Sequence, residues 1–357
     1  MSVIKIGNRF VGEGKKPYFI ADLAANHDGD LKRAFMLIEL AKKSGADAAK
    51  FQNFKAPKIV SKKGFSNMGN MNSHQSSWDK SVYEVYKDAS IPEDWTCKLK
   101  QKCDEVGIEY MTSPYDFESV DLVSPYVNAY KIGSGDITWL EIINYIASKN
   151  KPVLLATGAS DIEDVERAVK TIYHKNKNLV LMQCNTNYTA SAENFKYINL
   201  NVLKTYKELF PNIILGLSDH TLGHATVLGA IALGAKVIEK HFTDDNGRIG
   251  PDHKFSMNPV SWREMVDRSM ELYYALGDGN KKIEDNEKET SIIQRRALFL
   301  TRDIAKGSII HKEDLFPVRP IKEDGIPPYK IDEIVGKKVN RDLKKDDYIK
   351  WGDLVND

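Results

Sequence analysis

IILGLSDHTLGH (213–224), ATVLGAIALGA (225–235) and KVIEKHFTDDNGRIGPDHKFSMN (236–258) run consecutively, and their reading decides the fold. Two apolar runs, Ile213–Leu217 and Lys236–Lys240, read as buried parallel strands. Between them Thr221–Gly234, rich in Ala, Gly and Leu, reads as a helix. Each strand runs into a histidine, His220 after the first and His241 after the second. Strands of a strand–helix–strand unit point the same way, so both imidazoles reach one edge of one sheet. Two such histidines can share a divalent metal, with Ser218, Asp219 and Asp252 nearby. The plainer reading is a pair of hydrogen-bonded loop histidines.

Working outward, the same unit recurs. Apolar runs at Tyr18–Leu23, Asp47–Gln52, Ile108–Thr112, Ala129–Ile132, Pro152–Ala156 and Leu179–Gln183 precede the two strands above. Helical patterns follow them at Leu31–Ser44, Pro92–Val106, Phe117–Val123, Trp139–Ser148, Asp161–His174 and Tyr197–Phe210, and Pro259–Leu276 closes the series. Eight strands alternating with helices over roughly 260 residues is the pattern of an α/β protein of the (β/α)₈ barrel type, a TIM barrel. An open doubly wound sheet fits less well, because no GxGxxG follows the first strand. Residues 53–92, polar and rich in Ser, Asn and Gly, read as a long loop insertion that includes His74 and Trp78.

Residues 1–278 thus form the barrel domain, and the charged stretch 279–291 reads as a linker. Residues 292–357 carry short strand-like runs punctuated by Gly and Pro, a small mostly-β domain with little core of its own.

The composition is that of a globular protein: 42% hydrophobic, 28% charged and a net charge of +1. That charge gives no sign of a nucleic-acid partner, and no apolar run is long enough to span a bilayer. Three cysteines, Cys97, Cys103 and Cys184, form no CxxC and read as reduced thiols of a cytoplasmic protein.

A barrel places its chemistry just after the strand C-termini. Polar residues collect there: Asp22, Asn26, Lys50, Gln52, Ser113, Lys131, Ser134, Asp136, Thr157, Tyr188, Ser218, His220 and His241. Lys50 and Lys131 project into one cavity, which suits a phosphate or carboxylate substrate. Ser113, Ser134, Thr157 and Ser218 can hydrogen-bond its oxygens. Asp22 can move a proton or act through a metal-bound water. Anion pocket, Lewis acid and carboxylate together suggest carbon–carbon bond formation between an anionic enol and an aldehyde.

The ordered motifs ANHDGD (25–30), KFQ (50–52), SPYD (113–116), YKIGSGD (130–136), TGAS (157–160), GLSDHTLG (216–223), LGAKVIEKHFT (233–243), GPDHKFSMNP (250–259) and the C-terminal FPVRP, GIPPY and VGKKV resemble the sialic acid synthase family. The resemblance implies a metal-dependent barrel followed by an antifreeze-like (SAF) domain. It implies condensation of phosphoenolpyruvate with an N-acylated mannosamine-type sugar, releasing phosphate and giving a nine-carbon nonulosonic acid. His220 and His241 become the implied ligands of Mn²⁺ or Mg²⁺. Lys50, Gln52, Ser113, Lys131, Ser134 and Ser218 become implied phosphoenolpyruvate contacts. Asp136, Tyr188, Asp252 and, from the partner in a domain-swapped homodimer, Arg319 become implied acceptor contacts. Three positions depart from the family pattern: Asp22 stands where Glu is usual, Thr189 follows Tyr188 where Pro is usual, and Ala156 precedes the TG. Either Asp22 still reaches a metal-bound water, or its shorter side chain makes room for a different acceptor, such as a 6-deoxy diacetamido sugar leading to a legionaminic- or pseudaminic-type acid. Two readings of other classes stay open at this point, a metal-dependent aldolase or hydrolase on the same barrel and a non-catalytic carbohydrate-binding protein.

Overall fold

The computed structural model describes residues 2–67, 75 and 78–355. The chain divides into two compact units, Met1–Gly277 and Asp278–Asp357.

The first unit opens with an antiparallel hairpin, β1 (Val3–Ile6) and β2 (Arg9–Gly12). Eight parallel strands then close into a barrel: β3 (Tyr18–Asp22), β4 (Ala48–Asn53), β5 (Glu109–Pro114), β6 (Tyr130–Ile132), β7 (Val153–Ala156), β8 (Leu179–Cys184), β9 (Ile214–Asp219) and β10 (Val237–His241). Each pairs with the next in sequence, and β10 returns to β3, so no strand edge is left open. This is the TIM-barrel architecture expected from the sequence, with most strand limits displaced by one or two residues.

The hairpin is absent from the sequence reading, because its four-residue strands are too short to show a period. VIKIGNRFVG nonetheless carries a hairpin signal, two alternating runs about Gly7–Asn8. Gly7 sits at φ +55°, in the left-handed region open to glycine. Ile4, Ile6 and Val11 pack with Tyr18, Ile20, Ala48, Met111, Leu154 and Val180 in one buried cluster, so the hairpin plugs the N-terminal end of the barrel.

Strand parity sorts the barrel side chains. Phe19, Ala21, Phe51, Tyr110, Leu155, Leu217 and Ile238 belong to the larger cluster between strands and helices. The alternate positions point inward. Since the period is two, the inward set continues at the C-terminal ends as Asp22, Lys50, Gln52, Ser113, Lys131, Cys184, Ser218, Glu239 and His241.

Capping fixes where the helices begin. Asp30 accepts from Lys32 N ahead of Leu31–Lys43, Asp161 and Asp164 form a reciprocal capping box before Ile162–Lys175, and Asn258 does the same with Ser261 before Pro259–Ala275. Each cap is worth about 1 kcal/mol. Two helices begin later than their patterns suggest. Tyr197–Phe210 resolves into a 3₁₀ segment, Ala192–Tyr197, and a helix Val202–Leu209; Thr221–Gly234 shortens to Ala225–Ala232.

The polar insertion is not a plain loop. It holds short helices at Ala56–Ile59 and Lys62–Asn67 and a longer one at Val82–Ala89, started by a Ser81–Glu84 capping box. Few of its residues are buried, which is why its apolar periodicity is faint. His74 lies outside the described residues.

The second unit pairs β11 (Ala297–Leu300) with β12 (Leu315–Val318) and adds isolated bridges such as Ile304 to Leu343 and Val339 to Leu354. Contrary to the sequence reading, it has a core of its own: Leu298, Leu300, Ile304, Ile310, Leu315, Ile326, Ile334, Val339, Leu343, Ile349 and Leu354 are buried together. Its apolar residues are scattered singly over short bridged segments, so no run of them stands out in sequence. The segment 279–291 carries a 3₁₀ turn, Asp285–Glu287, and the start of a helix, Lys288–Ile293.

Candidate active site

At the C-terminal end of the barrel interior, four charged side chains meet. Lys50 Nζ lies 2.6 Å from Asp22 Oδ2, and Lys131 Nζ lies 3.0 Å from Glu239 Oε1. Lys50 also reaches the same Glu239 oxygen at 3.8 Å, so the two lysines share one carboxylate. Ser218 Oγ donates to that oxygen at 3.2 Å, and Gln52 Nε2 reaches Asp22 Oδ2 at 3.4 Å. Lys50, from the second barrel strand, and Lys131, from the fourth, therefore meet at one carboxylate in the barrel interior.

Burial and charge pull these groups in opposite directions. Burial pushes Glu239 up, but Lys131 and Lys50 together outweigh it and hold the carboxyl near 2. Burial pushes Asp22 up, and Lys50 only partly offsets this while Glu239 adds to it. Burial would lower Lys50, but Asp22 and Glu239 outweigh it and keep the ammonium protonated. Asp136, on the 3₁₀ turn Ser134–Asp136, is pushed up to about 6 by burial alone.

The two histidines flank this cluster, with ring centroids 5.3 Å apart. Burial, then the neighbouring His241, lowers His220 to about 3; burial lowers His241 to about 4. Both are neutral at physiological pH, the form that ligates metals. His220 Nδ1 donates to the Asn185 carbonyl at 2.8 Å, which leaves Nε2 with its lone pair. His241 Nε2 lies 3.5 Å from Asp22 Oδ2, and its buried Nδ1 has no hydrogen-bond partner among the described residues. The Tyr188 ring lies tilted with its centroid 4.2 Å from that of His220, and Phe255 packs 4.9 Å from that of His241. Among the described residues, no group of three or more His, Cys, Asp or Glu side chains converges on a common metal position. The protein offers a partial donor set.

Two cavities that share Tyr188 and Pro251 lie beside the site, and the smaller also takes in Gln52 and His241. The inner one, about 180 Å³, is lined by Gln52, Tyr86, Tyr115, Tyr188, His241 and Asp252, among others. The outer one, about 1100 Å³, widens between Trp78, Val85 and Ala89 on one side and Ile249, Pro251 and Phe255 on the other. Asp28 and Arg248 border it and pair at 2.8 Å.

A model of the NeuB family matches residues 37–281, and one of the SAF domain matches residues 295–355. The chain belongs to the NeuB family. It is 38% identical over 347 residues to the N,N'-diacetyllegionaminic acid synthase of Legionella pneumophila, covering 95% of each chain. It is 35% identical over 340 residues to the Campylobacter jejuni enzyme of the same name, covering 94% of this chain and 99% of the other. The crystal structure of the spore coat polysaccharide biosynthesis protein spsE from Bacillus subtilis matches it over the full length of both chains, with 30% identity and a TM-score of 0.65. As a NeuB-family enzyme, the chain condenses phosphoenolpyruvate with an amino sugar to form a nonulosonic acid, by the metal-dependent chemistry typical of the family. Its mostly-β second unit is the SAF domain.

Within this NeuB-family barrel the residues singled out by sequence separate into groups. Asp22, Lys50, Gln52, Ser113, Lys131, Ser218 and His241 point inward from their strands. Ser113 Oγ is buried and has no hydrogen-bond partner among the described residues. Ser134, Asp136, Tyr188, His220 and Asp252 come from the loops beyond them. Ser134 Oγ accepts from Gly158 N at 2.9 Å; a Cβ on Gly158 would meet Thr186, Ser134 and Cys184, so only glycine fits. Asp252 Oδ2 accepts from Ala25 N at 3.1 Å and lies 3.9 Å from His241 Nδ1. Asn26 is a strut: its amide donates to Phe242 O at 2.9 Å and Ser256 Oγ at 3.0 Å, tying two loops together. Arg319 is exposed on the second unit.

Thr157 requires correction. Its parity turns it outward, where Oγ1 donates to Met182 O and accepts from Tyr206 O–H in the helix layer. Its hydroxyl is spent on packing β7 against β8 and cannot face a substrate in the barrel interior. Glu239 is the residue that the sequence reading missed. It sits two before His241, so alternation alone places it on the same inward face. Lys240, between them, faces outward, where it binds the Asp219 carboxylate and, at 2.6 Å, Thr221 O.

Proposed function

We propose that the acceptor is a 2,4-diacetamido-2,4,6-trideoxy aldose of mannosamine type, so that the product is a legionaminic-type acid. The observation carrying this reading is the set of apolar side chains, Ala25, Trp78, Val85, Ala89, Pro251 and Phe255, that line the outer cavity beside charged ones such as Asp88, Arg248 and Lys254. Acetamido methyls and a C6 methyl gain from such a wall, roughly 0.8 kcal/mol per buried carbon. A C6 hydroxyl set against these apolar side chains would lose water, at about 1–3 kcal/mol where no polar neighbour replaces it. The names of the two relatives above point the same way.

In this reading Lys50, Lys131, Ser113, Ser134, Ser218 and Gln52 bind phosphoenolpyruvate. The lysines supply charge and the hydroxyls fix orientation. Asp136, Tyr188 and Asp252 meet the acceptor. Arg319 of a second copy joins them across a domain-swapped homodimer, a role supported by family resemblance. His220 and His241 hold the divalent ion, Mn²⁺ or Mg²⁺. Their neutral rings and the orphaned Nδ1 of His241 fit that duty. A bound ion supplies Lewis acidity toward the aldehyde oxygen.

The reaction consumes phosphoenolpyruvate, aldose and water. C3 of phosphoenolpyruvate forms a bond to the aldehyde carbon, water adds at C2, and phosphate leaves by C–O cleavage. Lys50 and Lys131 hold the phosphate while its charge builds. Asp136, poised near 6, carries protons between the growing hydroxyl and the incoming water. Asp22, locked to Lys50, acts as a fixed charge.

The test is phosphate release with Mn²⁺, phosphoenolpyruvate and single acceptors. The diacetamido-trideoxy sugar should exceed N-acetylmannosamine in kcat/KM by at least about tenfold. The reverse order would overturn the acceptor assignment.

A further inference from the structure

We propose that Glu239 is a positioning residue that keeps Lys50 and Lys131 aligned and takes the place of the substrate anion when none is bound. The proposal rests on the reading that these lysines bind phosphoenolpyruvate. A carboxylate is an odd component for an anion pocket, since it repels the ligand. Yet Glu239 is only 4% exposed and its Oε1 accepts from Lys131 at 3.0 Å and Ser218 at 3.2 Å, with Lys50 3.8 Å away. Its other oxygen, Oε2, is buried and makes no hydrogen bond among the described residues. Among the described residues the carboxylate is therefore held by the groups that would hold substrate.

The charge balance gives the reason. Two buried ammonium groups with Asp22 alone would leave one positive charge uncompensated, a costly arrangement out of water. Glu239 completes the neutral set of two cations and two anions. When phosphoenolpyruvate binds, its phosphate can satisfy Lys131 and Ser218, and Glu239 becomes a surplus negative charge. Affinity for substrate is given up so that the lysines are in place before it arrives.

The experiment compares wild type, Glu239→Gln and Lys131→Met, holding metal and protein concentration fixed. Thermal unfolding is followed with and without phosphoenolpyruvate, and KM and kcat are measured separately. Glu239→Gln should gain a larger melting-temperature increase from phosphoenolpyruvate than wild type does. Its KM for phosphoenolpyruvate should fall about tenfold while kcat falls about 10- to 100-fold, since repulsion and alignment are lost together. A shift equal to or smaller than that of wild type, or a raised KM, overturns the proposal. Lys131→Met separates the two claims. Loss of the phosphoenolpyruvate shift there upholds the lysine reading, so a failure in Glu239→Gln then counts against Glu239 alone; a full shift in Lys131→Met removes the reading itself. If Glu239→Gln does not fold, Glu239→Asp serves. It keeps the charge, so its kcat should fall with no enlargement of the shift, and an enlarged shift overturns the proposal.

Discussion

Lys50→Met probes the buried charge cluster most sharply, because it removes one ammonium and leaves a side chain of similar length. Among the described residues Asp22 then retains Ala24 N at 3.1 Å and Gln52 Nε2 at 3.4 Å as donors, with His241 Nε2 3.5 Å away. The Lys50 and Asp22 side chains are 2% and 3% exposed, so the orphaned carboxylate has little water to turn to. Removing one partner of such a pair costs about 3–5 kcal/mol. For a barrel of this size about 2–4 °C is lost per kcal/mol, so the melting temperature should fall by roughly 10 °C. The pH dependence has a definite sign. Asp22 already sits above its ordinary range, and loss of Lys50 raises it further. A raised carboxyl favours the fold below its unfolded value and loses that contribution as pH climbs through its folded value. The deficit of Lys50→Met should therefore narrow on going from pH 8 to pH 5. Asp22→Asn added to Lys50→Met should recover part of the loss, since it removes the uncompensated charge. Calorimetry of the two single variants and the double variant reads all of this. A Lys50→Met loss below about 1 kcal/mol, or a double variant no more stable than the single, would refute the reasoning.

Three further outcomes follow from other parts of the fold. Burial lowers His27 to about 4, its Nδ1 accepts from Gly29 N and its ring packs edge-on against Trp95; a depressed histidine stabilises the fold above its unfolded value near 6.5, and that support is lost as pH falls toward about 4. His27→Asn should thus flatten the acid limb of the stability curve by about 1.4 kcal/mol per pH unit in that window, as read by urea midpoints. Gly7→Ala forces a side chain into the left-handed turn of the N-terminal hairpin and against Glu109, and should cost about 1–2 kcal/mol by denaturant titration. Tyr86→Ala strips an aromatic wall from the inner cavity, where Tyr86 packs on Phe54 at 5.5 Å; the acceptor KM should rise about tenfold while the phosphoenolpyruvate KM stays put.

The barrel was legible because each inward- and outward-facing strand is a short, dense apolar run, and Val237–His241 with Ile214–Asp219 carry polar groups only at their C-terminal ends. Lys50, Lys131, His220 and His241 were legible for the same reason: charged residues at the end of a buried strand have few places to go. What escaped had weaker local signals. Glu239 hides between Ile238 and Lys240, and only the two-residue parity shared with His241 separates it from Lys240 on the helix side. The same parity would have set Thr157 aside. The insertion helix Val82–Ala89 buries too little to show a clean stripe, and its place beside the site is a tertiary fact. The core of the second unit is assembled from single residues on many short segments, a pattern with no period to detect.

The most direct measurement uses phosphoenolpyruvate carrying ¹⁸O in the bridge between C2 and phosphorus, with Mn²⁺ and the diacetamido-trideoxy acceptor. Mass analysis of both products reads bond formation and cleavage together. The account predicts a nine-carbon acid without the label and phosphate that contains it, with no phosphate released when the acceptor is left out. Release without acceptor, or label kept on the sugar acid, would contradict it.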